Sequence, residues 1–257
     1  MRDTRMQLKK SLGQHFLINE ERCVDIVELL PNIKPLNVLE VGPGGGAITK
    51  YILEIPGINY RAIEADNQKV KFLQKQFPAF NDNFILGSFL EMDKPFEEPF
   101  IVIGNFPYNI SSQIMFKVLD WVPDVTHVIG MFQKEVAKRI IAEHGSKDFG
   151  ILSVLTDLHF DRVYHFDVPP EDFRPAPKVN SGVIRLDFIG NRFEIENEAG
   201  FKKFVKVAFS QRRKTLRNVL KSHFDPEELK DDFFNNRIEQ VSISALVNLY
   251  KSKYESK

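Results

Sequence analysis

A single cysteine, Cys23, is all that 257 residues contain, so no internal disulfide can staple this chain. With no cysteine or histidine beside it at metal-ligand spacing, no metal site is expected either. A reducing compartment, and hence the cytoplasm, fits this usage best. Long apolar runs are also missing: none approaches the roughly 20 residues that a membrane span requires. The start, Met1-Arg2-Asp3-Thr4-Arg5 followed by Lys9-Lys10, has no signal-peptide core behind it, and no membrane association is expected. Charge of one sign is not in excess, since 35 Lys and Arg face 35 Asp and Glu. That balance argues against a surface uniformly coated for nucleic acid. There is no internal repeat, low-complexity tract or extended heptad pattern, and a monomer is expected.

What is present is the composition of a folded globular protein, 43% hydrophobic and 27% charged. The length allows one large core with a small appendage. Charge is unevenly spread despite the neutral sum. Between Lys202 and Lys221 the sequence holds Lys202, Lys203, Lys206, Arg212, Arg213, Lys214, Arg217 and Lys221 with no Asp or Glu. Such a block is either a solvated helix face or a phosphate-contacting surface.

The periodicity reads as an alternation of strands and helices. Asn37 to Val41 is a buried-strand pattern, and a glycine turn then opens a helix to about Glu54. Ile58 to Ile63 is a second strand, Gln68 to Phe77 its helix, and Asn83 to Leu86 a third strand. Phe100 to Gly104, a continuous apolar run flanked by Pro99 and Asn105, predicts a central strand. Ser111 to Leu119, Lys134 to Ala142 and Ile151 to Leu158 read as helices. Thr126 to Phe132, Arg162 to Val168 and Gly182 to Phe188 read as strands, the last two as a hairpin at the sheet edge. This order predicts an α/β fold around a parallel sheet. After Gly190-Asn191 the pattern turns helical, with Phe201, Phe204, Val205, Ala208 and Phe209 on one face. The predicted division is therefore a Rossmann-like domain over 1–190 and a small helical domain over 191–257.

Gly42-Pro43-Gly44-Gly45-Gly46-Ala47 lies between strand and helix, where backbone can approach a ligand that side chains would exclude. Glu64 ends the next strand, the place where an acid accepts hydrogen bonds from ribose hydroxyls. These features fit NAD as well as other adenosine ligands. Glu40, at the end of the first strand, is a further candidate for contact with a charged part of the ligand.

Asn105-Phe106-Pro107-Tyr108 separates the possibilities. It matches the loop of amino-methyltransferases, in which Asp, Asn or Ser precedes an apolar residue, a proline and an aromatic. An exocyclic adenine amine is a poor nucleophile because its lone pair is delocalised into the ring. Two fixed acceptors, Asn105 Oδ1 and the Phe106 carbonyl, localise that pair and aim it, while Pro107 holds the turn rigid. Tyr108 can stack on the base. A sulfonium methyl needs no strong general base, and none is nominated.

At this point a family resemblance covers nearly the whole chain. Lys9 to Leu17, Val38 to Ile48, Asn105 to Ser112, Phe173 to Ser181 and Phe209 to Asn218 resemble, in order, five motifs of the KsgA-type small-subunit ribosomal RNA adenine N6,N6-dimethyltransferases. The resemblance implies a class I methyltransferase fold with S-adenosyl-L-methionine as cofactor. It further implies that His15 and Leu17 lie over the cofactor, that Gly42, Glu64 and Ser88 hold it, and that Asn105 touches both cofactor and target. Ser88 stands where the family usually has Asp. Phe173 is implied as a second aromatic jaw opposite Tyr108, and Arg212, Arg213, Lys214 and Arg217 as RNA contacts. The implied substrate is a pair of adjacent adenines near the 3′ end of 16S rRNA, with the assembling small ribosomal subunit as partner. An assembly checkpoint that binds without transfer, and an NAD-dependent oxidoreductase, are the alternatives from other classes.

Overall fold

The computed structural model describes residues 15–34 and 36–255; the expectations for Lys9 to Gln14 lie outside them. In chain order the elements are β1 (Phe16–Leu17), α1 (Glu20–Val27), β2 (Leu36–Val41), α2 (Thr49–Ile52), β3 (Ile58–Glu64) and α3 (Asn67–Gln76). Next come β4 (Phe84–Leu86), β5 (Phe100–Asn105), α4 (Ser111–Asp120), β6 (Val125–Gln133), α5 (Lys134–Ile141) and α6 (Ile151–His159). The chain closes with β7 (Phe160–Val168), β8 (Phe173–Arg174), β9 (Ser181–Phe188), α7 (Glu198–Ala208), α8 (Leu216–Val219) and α9 (Ile243–Tyr254).

Two compact units result. The first comprises Met1–Ala137 with Arg162–Phe188, the second Lys138–Asp161 with Ile189–Lys257. A single cut at residue 190 therefore misplaces Lys138–Asp161, whose polar side chains bond within the helical unit. Thr156 Oγ1 donates to the Ile140 carbonyl at 2.9 Å and Arg192 Nε to the Asp157 carbonyl at 3.0 Å.

The first unit is built on a seven-stranded sheet of order β4-β3-β2-β5-β6-β9-β7. β2 pairs in parallel with both β3 and β5, β5 with β6, and only then does β9 run antiparallel to β6. Every residue of β2 is buried, the mark of a strand covered on both faces. Its one amide, Asn37, is satisfied by the Pro99 carbonyl at 3.0 Å and the Asn59 amide at 2.8 Å. From β2 the chain moves outward through β3 and β4, then returns to the other side of β2 for β5. The strand order thus reverses between β2 and β5, where open α/β sheets form a crevice.

Helix starts follow their capping residues. Asn19 accepts from the Glu21 and Arg22 amides, and Asp66 from the Gln68 amide, satisfying donors that the first turn leaves open. The helix after the glycine turn is shorter than predicted because Gly46 sits at φ +80°, outside helical space. In the second unit α7 buries Phe201, Phe204, Val205 and Ala208, the predicted stripe, with the Tyr250 ring of α9 5.3 Å from that of Phe201.

Candidate active site

A cavity of about 210 Å³ opens at the carboxyl ends of β2, β3 and β5. Its wall comes from the glycine turn after β2, the acid at the end of β3, the Gly87-Ser88-Phe89 segment after β4, and the Asn105 to Ile110 loop after β5. Gly42 is tied to β3 by its amide, which donates to the Ile63 carbonyl at 2.9 Å.

Two buried carboxylates line this cavity. Glu64 is 5% exposed; its Oε2 accepts from the Gly44 amide at 3.1 Å and its Oε1 from the Asp66 amide at 3.0 Å. The acid therefore shapes the glycine turn as well as facing the cavity. An ionised carboxylate has about four acceptor sites, so about two remain for a ligand. Glu40 accepts from Thr49 Oγ1 at 2.8 Å and the Tyr60 hydroxyl at 2.6 Å, both on Oε2. Its Oε1 accepts nothing among the described residues. Burial pushes this carboxyl up to about 7, against the two hydrogen bonds that favour ionisation.

Ser88 lines the cavity with a hydroxyl that has no partner among the described residues, while its carbonyl accepts the Glu91 and Met92 amides. Lys69, on α3, also reaches the cavity. Sequence reading passed over it because lysines on helices are ordinarily solvated. The available signal was its position beside Val70 and one turn before Leu73, on the face that α3 buries.

The loop after β5 is the most constrained part. Asn105 Nδ2 donates to the His15 carbonyl at 3.1 Å. A carbonyl only accepts, so the amide has one orientation and its Oδ1 is left without a donor among the described residues. The Phe106 carbonyl likewise accepts nothing among them, while its amide donates to the Met131 carbonyl at 3.1 Å. Two unspent acceptors thus stand on adjacent residues at the cavity wall.

The ring of Phe106 explains how the loop keeps this shape. Gly104 and Gly130 face each other in register on β5 and β6. A Cβ on Gly130 would lie 2.7 Å from the Phe106 ring and 2.3 Å from that of Phe132; one on Gly104 would lie 2.5 Å from the Val41 carbonyl of β2 and 3.1 Å from the Phe106 ring. The two missing side chains make the space in which Phe106 and Phe132 pack edge to face, centroids 5.0 Å apart.

A two-stranded strap holds the other wall. β1 pairs with β8, Leu17 opposite Phe173 and Phe16 opposite Arg174. His15 Nδ1 donates to the Pro175 carbonyl at 2.6 Å, and its ring lies 5.6 Å from that of Tyr108. Tyr108 in turn shares a hydrogen bond with Ser181 Oγ. His15 and Leu17 both line the cavity. Phe173 does not: it is 2% exposed and packs in the core with Leu17, Cys23 and Ile26. As a second aromatic jaw it is misassigned in this structure, because β8 turns its ring into the core. Its segment meets the site instead through Pro175 and Ser181.

A glycine turn, a ribose-type acid and an asparagine with a spare acceptor share one cavity. The family model for ribosomal RNA adenine dimethylase matches residues 5–254. The chain belongs to the ribosomal RNA adenine dimethylase family. It is 43% identical over 251 residues to the ribosomal RNA small subunit methyltransferase A of Cytophaga hutchinsonii, covering 95% of this chain and 96% of that one. Its counterpart in Parabacteroides distasonis is 44% identical over 246 residues, covering 94% and 92%. Among solved structures, a dimethyladenosine transferase from Plasmodium falciparum superposes with a TM-score of 0.77 at 23% identity, covering 93% of this chain and 98% of that one. The 23S rRNA methyltransferase ErmE gives 0.73 at 22%, covering 93% and 99%. These two likenesses establish the shared fold. The dimethylase is thus an S-adenosylmethionine-dependent enzyme by family, and its residues suit that cofactor. Glu64 keeps acceptor capacity for a diol, Glu40 keeps an oxygen for a cationic group, and Ser88 keeps a hydroxyl for a polar edge.

The basic residues of the dimethylase divide. Arg213 and Lys214 are exposed, and their side chains meet no partner among the described residues; Arg212 is exposed and donates to the Lys147 carbonyl at 3.2 Å. Arg217 is structural: its Nε donates to the Leu229 carbonyl at 2.8 Å and its Nη2 to that of Asp231 at 3.5 Å. Its assignment as an RNA contact gives way to a chiefly structural role, since this half-buried side chain spends donors on two carbonyls of its own unit.

Proposed function

We propose that this dimethylase transfers methyl groups to N6 of two adjacent adenines near the 3′ end of small-subunit rRNA, acting in the cytoplasm as a monomer on the assembling subunit. The observation that carries the reading is the orientation of Asn105, whose Nδ2 is spent on a carbonyl and whose Oδ1 is not. Bound S-adenosylmethionine supplies an activated methyl on a sulfonium. The protein's part is to present the amine: in the first transfer Asn105 Oδ1 and the Phe106 carbonyl accept its two N–H bonds, in the second one of them accepts the N–H that remains, each transfer releases one proton to water, and Tyr108 stacks on the flipped base. Stacking of this kind offsets about 1–3 kcal/mol of the unstacking cost. The Tyr108 hydroxyl is held by Ser181, so the ring is presented without a rotameric search.

Gly42, Glu64 and Ser88 hold the cofactor, with His15 and Leu17 closing over it. Arg212, Arg213 and Lys214 contact phosphate without reading sequence. Relatives bearing the name ribosomal RNA small subunit methyltransferase A support the choice of small-subunit RNA.

The test is transfer of labelled methyl groups to unmethylated small ribosomal subunits, followed by digestion to nucleosides. N6,N6-dimethyladenosine at two neighbouring positions is expected. Labelling confined to large-subunit RNA, or binding with no transfer, would overturn the assignment.

A further inference from the structure

A buried lysine sits against the acid that is to hold the cofactor ribose. Lys69 is 4% exposed. Its Nζ lies 3.8 Å from Glu64 Oε2 and 5.0 Å from the centroid of the Phe16 ring. The ammonium makes no hydrogen bond to any described residue, so its donors are unspent. Burial pulls this amine below its ordinary value, although Glu64 and Asp66 favour the charged form. Removing an ammonium from water without hydrogen-bond partners is costly, and neither the carboxylate at this distance nor the aromatic face fully replaces the lost solvation.

The spacing is informative. At 3.8 Å the pair is too far apart for a direct hydrogen bond, yet a single oxygen atom can reach both at ordinary distances. Glu64 offers acceptors only, since each of its oxygens already takes one backbone amide. A ribose hydroxyl is both donor and acceptor: it can give its proton to Glu64 and receive one from Lys69.

We infer that Lys69 and Glu64 act together as the ribose clamp of the cofactor cavity, Glu64 accepting from the cofactor hydroxyls and Lys69 donating to one of the same oxygens. The inference rests on the reading of this cavity as the S-adenosylmethionine site. It makes Lys69 a specificity-determining residue, selecting ligands that carry a hydroxyl oxygen at that point over those that do not.

The test is calorimetric titration of the wild type and Lys69→Met with S-adenosylhomocysteine and with an analogue carrying hydrogen in place of both ribose hydroxyls. Met keeps the length and helix propensity of the side chain and removes its donors. Lys69→Met is expected to bind S-adenosylhomocysteine about tenfold or more weakly, from loss of a charge-assisted hydrogen bond, and to bind the dideoxy analogue like the wild type. An equal loss for both ligands, or none, would overturn the clamp and leave Lys69 a structural counter-charge. If the variant does not fold, the wild type decides through the nitrogen-detected NMR signal of the Lys69 ammonium. Its protons are expected to be protected from exchange by S-adenosylhomocysteine and not by the analogue, and equal protection refutes the inference. A wild type that binds neither S-adenosylhomocysteine nor S-adenosylmethionine would instead remove the underlying cofactor reading, and the clamp with it.

Discussion

Replacing Glu40 by Gln should stabilise the protein while weakening its ligand binding, and the amount should depend on pH. The carboxyl is raised from an ordinary 4.5 to about 7 by burial. In that interval the folded state binds more protons than the unfolded state, so stability falls as pH rises. Below 4.5 the group is neutral in both states and contributes no penalty; above 7 it is charged in both and the penalty is complete. At about 1.4 kcal/mol per pH unit, the rise corresponds to about 3 kcal/mol between the two limits. Gln retains an oxygen for the Thr49 and Tyr60 hydroxyls that Glu40 Oε2 now accepts, so the hydrogen bonds survive and the charge does not. Urea unfolding of both proteins from pH 5 to 8 should show a difference that grows toward alkaline pH in favour of Gln, by up to about 3 kcal/mol. A difference constant across that range would refute the argument, because it would place the titration elsewhere. The same variant should bind S-adenosylhomocysteine more weakly at pH 8, having lost the anionic oxygen that faces the cavity.

Asn105→Ala should lower methyl transfer by about 100-fold or more through loss of a preorganised acceptor, with thermal unfolding little changed; near-normal turnover of a folded variant would sink the proposed presentation of the amine. Glu64→Ala should weaken S-adenosylhomocysteine binding and also loosen the glycine turn, since the Gly44 and Asp66 amides lose their acceptor, which amide exchange at those positions would report. Gly130→Ala should cost about 1–3 kcal/mol by overpacking, seen as a lowered Tm, and should reduce transfer more than cofactor affinity because the methyl displaces the Phe132 ring and with it the Phe106 ring packed against it. Arg213→Ala with Lys214→Ala should weaken RNA binding and shallow its salt dependence by about one to two counterions, whereas Arg217→Ala should chiefly destabilise the helical unit, which paired binding and unfolding measurements separate.

The strands of the seven-stranded sheet and much of the cavity were legible in the sequence because their signals are local, whereas the two short strands β1 and β8 were not. A short buried-strand pattern before the glycine turn marked β2, a continuous apolar run marked β5, and the glycine turn and Glu64 pointed to a ligand site. What was not legible depends on contacts far apart in the chain. The inward turn of Phe173 follows from its pairing with Leu17, 156 positions away, and no periodicity around Phe173 distinguishes an aromatic facing a cavity from one facing a core. Arg217 reads as basic surface until the Leu229 and Asp231 carbonyls are placed beside it. Lys69 was overlooked for the converse reason: a lysine on a capped helix looks solvated until Phe16 closes over it. The membership of Lys138–Asp161 in the helical unit is likewise invisible in the periodicity of α6, which is the same whichever unit buries it.

The facing glycines of β5 and β6 bear on how variants of this enzyme should be sorted. Strands ordinarily disfavour glycine, and a substitution at Gly104 or Gly130 would be read as a change in sheet propensity, remote from chemistry. Neither glycine lines the cavity, yet each sets where the Phe106 ring rests, and hence where its carbonyl stands. A screen for inactive but folded variants should therefore return residues that never meet a ligand, and distance from the cofactor is a poor guide to which positions in β5 and β6 tolerate change.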